Sequence, residues 1–271
     1  MNPTYVSLET GFLDDEVLHS IRREIYHSEG PGYFVFRKFI PIEYTKHIFD
    51  YWTKIVVPSK SHKKFISREL LKPGSPNYYT ESANGSRTFY NPFWNSPTDE
   101  VTHEVCFKTA QLRNQIESRP CFSEIFPVIG RRCVIPRIVI TKKGENILAP
   151  HSDYGLSESN PANIDLRRTQ ATLYLSKFGK DYQGSGFIFT VNQGNQIQME
   201  KELNLNPGDL VIWKYSNTHS IDNIDAKEED AGFVRILFPP EKLSQSKNQF
   251  FGARIKRLTS RVVGKLRKLS F

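Results

Sequence analysis

Cysteine is scarce in this chain of 271 residues, with only Cys106, Cys121 and Cys133. An odd number with no CxxC pair argues against a disulfide scaffold and against a thiolate zinc site. The three read as reduced, structural thiols of a cytoplasmic protein. No run approaches 18 apolar residues, so no membrane-crossing helix is expected. Met1-Asn-Pro-Thr-Tyr5 lacks the basic-then-apolar start of a secretory leader, and none is expected. Internal repeats and low-complexity tracts are absent too. With 38% hydrophobic and 13% aromatic residues, the chain suffices for one well-filled core.

Acidic residues are missing from one place. Residues 244–271 contain eight Lys and Arg and no Asp or Glu. The other 29 basic residues balance the 29 acidic ones, so the net charge of +8 belongs entirely to this tail. Within it Phe251, Ile255, Leu258, Val262, Leu266 and Leu269 recur at helical spacing, with bases on the other faces. The pattern predicts a basic amphipathic helix that packs on the domain or lies on an anionic membrane over residues 250–271. No aromatic interleaving or known motif points to nucleic acid, and none is expected as a partner.

The chemistry-bearing residues are His151-Ser-Asp153, His219 and Arg235. On a strand, positions i and i+2 share a side, so His151 and Asp153 can chelate one ion together. Two imidazoles and one carboxylate on one side of a metal leave its opposite positions open. That is the facial triad of non-haem Fe(II) oxygenases. An arginine downstream suits a co-substrate carboxylate, because its planar fork binds bidentately and stays charged.

The segments around these residues alternate like strands. They are Arg168–Ser176, Gly184–Val191, Leu205–Trp213 with its Pro207-Gly208 turn, and Gly232–Phe238, which carries Arg235. Short strands at regular turns predict a mainly β fold, a jelly roll with ligands at its mouth.

In this order the motifs resemble the Fe(II)/2-oxoglutarate-dependent dioxygenase superfamily, over about Ile138 to Pro239. The resemblance is strongest to its prolyl-4-hydroxylase-like and phytanoyl-CoA-hydroxylase-like branches. Gly30–Ile40 is similar to an early strand of that family. The resemblance implies a double-stranded β-helix core of cupin type with flanking helices. It implies Fe(II) on His151, Asp153 and His219, and 2-oxoglutarate and O2 as co-substrates. Arg235, Tyr174 and Thr141 would contact 2-oxoglutarate. Asp153 stands where halogenating relatives lack the carboxylate, and Glu241 where nucleic-acid demethylases carry a second arginine. The implied reaction is hydroxylation of an unactivated C–H in a small metabolite, natural product or sugar- or lipid-linked substrate. The gap of 16 residues from His219 to Arg235 exceeds the family's usual spacing, and acidic Asp225–Asp230 is expected to loop out there. Residues 157–167 are longer than in prolyl hydroxylases and suit a lid.

Two other readings stay open: a cupin-like Zn or Mn hydrolase or isomerase, and a non-catalytic jelly-roll module brought to membranes by its tail. Helices are expected at Leu13–Ile25, Ile42–Ile55 and Thr98–Ile116, the last capped by Thr98-Asp-Glu. The expected plan is one dioxygenase domain over 1–243, helical to about residue 130 with the core at about 131–240, then the basic helix of 244–271. Ser75–Trp94, rich in turn residues and aromatics, reads as a surface or substrate-binding loop, with Arg87 and Tyr90 as candidate substrate contacts. His19, His27, His47, His62 and His103 lack ligand spacing and read as surface or packing residues.

Overall fold

The computed structural model describes residues 13–59, 62–65, 71–82, 86–153 and 165–243. The amphipathic tail and most of the lid segment lie outside them. The first half contains α1 (Asp15–Tyr26), β1 (Tyr33–Phe36), α2 (Ile42–Asp50), a π-helical turn (Tyr51–Val56), β2 (Lys63–Phe65), β3 (Tyr78–Glu81), β4 (Arg87–Tyr90) and α3 (Glu100–Ile116). Next come β5 (Arg132–Val134), β6 (Arg137–Thr141), β7 (Lys143–Gly144), β8 (Leu148–His151), β9 (Thr169–Tyr174), β10 (Gln183–Gly184), β11 (Phe187–Thr190) and β12 (Gln196–Gln198). The chain continues through a one-turn helix α4 (Met199–Glu202), β13 (Leu210–Lys214), β14 (His219–Ile221), β15 (Ile224–Asp225), β16 (Phe233–Leu237) and β17 (Pro240–Lys242).

Two sheets make the jelly roll. The larger runs β1-β13-β9-β16-β6-β4-β3-β2, and the smaller β12-β11-β14-β8. Alternate residues of the large sheet serve two cores, the reason its strands are apolar on both faces. Leu210, Ile212, Ala171, Leu173, Val234 and Ile236 pack outward with the helices. Val211, Trp213, Tyr174 and Phe233 pack inward with Phe187, Phe189 and Ile221 of the smaller sheet.

The helices form for local reasons. Leu18, Ile21 and Ile25 put a buried stripe along α1. Asp99 caps α3, its carboxylate accepting from the Thr102 amide at 2.8 Å. A buried ionic network then ties α3 to the core: Glu117 accepts from the Thr169 amide at 2.8 Å, and Arg168 donates to Glu124 at 2.7 Å.

The Pro207-Gly208 turn enters β13. Gly208 has φ +94°, and a Cβ there would sit 2.8 Å from Thr45 Oγ1, so both conformation and space select glycine. The next residue, Asp209, accepts from the Lys38 amide at 2.9 Å and Arg37 at 2.8 Å. This fastens β1 beside β13.

One expectation is corrected, and the acidic loop before Arg235 holds except for its first residue. Ser75–Trp94 is not one long loop: β3 and β4 form an antiparallel pair that joins the large sheet through β6. Among the described residues, the first 130 therefore carry four strands besides their helices. Part of the long gap before Arg235 is also structured. β15 pairs with β7 and β10 in a small sheet, and only the residues after it loop out.

Candidate metal centre and cavity

β8 ends on His151 and β14 starts on His219. The two residues are direct cross-strand partners, with ring centroids 4.3 Å apart. Asp153 follows in the turn after β8. Its Oδ1 lies 3.4 Å from His151 Nε2 and 3.8 Å from His219 Nε2. One ligand atom from each residue lies within 4.8 Å of the others, a spacing suited to one divalent cation.

The backbone sets both tautomers. His151 Nδ1 is 2.8 Å from the Ala149 carbonyl oxygen, and His219 Nδ1 is 3.2 Å from that of Asn217. A carbonyl only accepts, so each Nδ1 carries hydrogen and each Nε2 keeps its lone pair for a metal. The neighbouring Asp153 carboxylate raises the pKa of His151, whereas burial lowers that of His219. Trp213 stands edge-on to His219 at 4.5 Å and Phe187 lies 5.5 Å from it, so aromatic rings pack against this side of the centre.

The triad opens on a cavity of about 600 Å³ between the sheets, also lined by Arg235, Tyr174, Tyr90, Arg137, Gln170 and Thr172. Arg235 is buried and is the cross-strand partner of Tyr174. Its guanidinium lies 4.1 Å over the Phe233 ring, and the Tyr182 ring stacks on Phe233 at 4.7 Å. Arg235 Nη1 and the hydroxyls of Tyr174 and Tyr182 are buried without a hydrogen-bond partner among the described residues. Each such group costs about 1–3 kcal/mol unless something pairs with it. Burial lowers the Arg235 pKa to about 10. Behind this group Glu200 is buried, accepting from the Phe187 amide at 3.0 Å, and burial raises its pKa to about 7.

The remaining candidates divide. Tyr90 lines the cavity, with the Arg137 guanidinium over its ring at 5.1 Å. Arg87, on the alternate position of β4, pairs instead with Glu81 at 3.2 Å. Thr141 is one step removed from the cavity: its hydroxyl bonds that of Ser86, a lining residue, at 2.9 Å. Glu241 is the ion-pair partner of Arg137. Tyr182, Glu200 and Arg137 were not singled out from the sequence. Tyr182 follows Gly179 in a turn, and Glu200 sits in a polar run, so neither had a periodic signal. The three thiols are free, and two are buried.

No family model and no curated protein matches the chain by sequence. Solved structures match its fold. A full-length Neurospora crassa protein in complex with alpha-KG and thymine aligns at TM-score 0.52 and 10% identity, over 88% of this chain and 85% of that one. EctD from S. alaskensis aligns at 0.51 and 10%, over 83% and 76%. The epimerase SnoN, in complex with Fe3+, alpha ketoglutarate and nogalamycin RO, aligns at 0.50 and 10%, over 83% of each chain. Two of these structures hold alpha-ketoglutarate and one of them also Fe3+, and the chain shares the fold of all three, in line with the resemblance read from its motifs. At a tenth of residues identical the likeness is one of fold.

Proposed function

We propose that the chain is an Fe(II)- and 2-oxoglutarate-dependent oxygenase. The observation that carries this reading is the pairing of two features in one cavity: a His-Asp-His triad with both Nε2 atoms facing the carboxylate, and a buried arginine beside Tyr174, whose hydroxyl is unsatisfied among the described residues. A dicarboxylate that chelates a metal by one end and needs a cationic clamp at the other suits both. A hydrolase or isomerase would leave Arg235 and Tyr174 without a role.

His151, Asp153 and His219 would hold Fe(II), each imidazole fixed by its backbone carbonyl. Iron with 2-oxoglutarate and O2 would supply the oxidising power, releasing succinate and CO2. Arg235 would bind the distal carboxylate, with Tyr174 and Tyr182 donating to the same oxygens and Thr141 acting through Ser86. Trp213 and Phe187 would keep water from the His219 side. The substrate would lie toward Tyr90 and Arg137, a wall with one cation, one ring and the Glu241 carboxylate.

The finer reading is hydroxylation of an unactivated C–H of a small molecule: a metabolite, natural product or sugar- or lipid-linked compound. The Neurospora crassa complex holds thymine and the SnoN complex a nogalamycin, so this fold accommodates small cyclic compounds. Contact of the tail with anionic membrane belongs to the same proposal. The test is oxygen uptake by the iron-loaded protein with 2-oxoglutarate. Stoichiometric succinate, absent in Asp153→Ala, is expected; oxygen uptake without succinate would sink the reading.

A further inference from the structure

Between α3 and β6 the chain exposes large apolar side chains: Phe122 is 55% exposed, Phe126 63%, Val128 50% and Ile129 59%. They are half of the eight exposed large apolar residues in the described structure, gathered within eight positions. That clustering is what separates a contact surface from scattered exposure. The rings of Phe122 and Phe126 lie 6.4 Å apart.

Basic residues border this face. Phe126 and Val128 line a hollow of about 420 Å³ whose other walls include Arg131, Arg132 and Lys242. The sole acid between residues 119 and 132 is Glu124, and its carboxylate is already bound by Arg168 at 2.7 Å and Arg113 at 3.2 Å. Lys242 lines this hollow and the triad cavity alike, so the face stands at the cavity's rim. The last described residue, Leu243, is fastened here. Leu243 donates to the Arg131 carbonyl at 2.9 Å and accepts from Gly130 at 3.2 Å, and the 28 residues beyond it carry eight positive charges and no negative one.

Charge selects the occupant. The chain's own tail, or the same face of a second copy, would cover the apolar side chains but set its bases against Arg131, Arg132 and Lys242 with no acid to balance them. An anionic bilayer matches the basic hollow and the tail together, and takes up apolar side chains between its headgroups. We propose that Phe122, Phe126, Val128 and Ile129, with Arg131, Arg132 and Lys242, form a docking face for an anionic lipid surface. This inference does not depend on the metal centre.

The test is co-sedimentation of the full chain with vesicles of phosphatidylcholine alone and of phosphatidylcholine with phosphatidylserine. Binding is expected only with phosphatidylserine. Phe126→Ser/Ile129→Ser should weaken it by roughly ten-fold or more, from lost apolar insertion. Arg131→Glu/Lys242→Glu should weaken it by at least about five-fold for each charge. No binding by the intact chain overturns the proposal, and so do two variants that bind like the parent, since the tail alone then carries the contact. A lower thermal midpoint in the Phe126→Ser/Ile129→Ser variant with unchanged vesicle binding would make the tail the occupant. Loss of a dimer in that variant would make the face a subunit interface. Either result overturns it.

Discussion

His151 and His219 face each other as partners across the β8–β14 ladder, and Asp153 Oδ1 stands within 3.4 and 3.8 Å of their two Nε2 atoms. Strand pairing thus brings together two of the three candidate ligands of the proposed metal centre. The register is exacting, since a slip of one residue would turn His219 to the other face of its sheet. Ser220 and Ile221 follow His219 on that strand, so the slip would offer the metal no ligand.

Asp153→Ala removes the one anionic ligand while leaving both ladders intact. Iron affinity and turnover should fall by more than the roughly 10–100-fold typical of an outer-shell partner. Asp153 is partly exposed and caps no helix among the described residues, so circular dichroism should report an unchanged thermal midpoint. Retained turnover would place the third ligand elsewhere.

Arg235 supplies the charge at the closed end of the cavity. Arg235→Ala should raise the KM for 2-oxoglutarate by about 30-fold or more, as expected when one partner of a buried charged pair is truncated. Tyr174→Phe deletes a single neutral donor and should cost about five-fold. An unchanged KM in Arg235→Ala would move the clamp away from β16.

Glu200 gives a pH signature. Burial raises its pKa to about 7 from an ordinary 4.5, so ionising it costs the folded state. Its effect is absent below pH 4.5, grows as pH rises to 7, and then levels off. The full loss is at most about 3 kcal/mol. Glu200→Gln keeps an acceptor for the Phe187 amide and cannot ionise. Urea midpoints of parent and variant should therefore converge at acid pH and separate above neutrality, the variant being the more stable. Parallel curves would mean that Glu200 does not titrate there.

Much of this site was legible in the chain. Strands β9, β11, β13 and β16 betray themselves by alternation and by the turns that precede them. His151, Asp153 and His219 declare their chemistry by residue type and order. Other parts depend on contacts that no local pattern encodes. The β3–β4 hairpin is hidden because its turn residues and aromatics resemble a loop, and only pairing with β6 reveals it. Arg87 is drawn outward by Glu81, opposite it across that hairpin. Tyr182 and Glu200 come near Arg235 from segments tens of residues away. The long approach to Arg235 made its role hard to align by spacing, because β15 adds a strand to a separate small sheet.

The most direct measurement is an anaerobic titration of Fe(II), then 2-oxoglutarate, into metal-free protein, followed by visible absorption. A weak metal-to-ligand charge-transfer band should grow with 2-oxoglutarate and be lost in His219→Ala. Tight iron binding with no such band would contradict bidentate 2-oxoglutarate at this centre, and with it the oxygenase assignment.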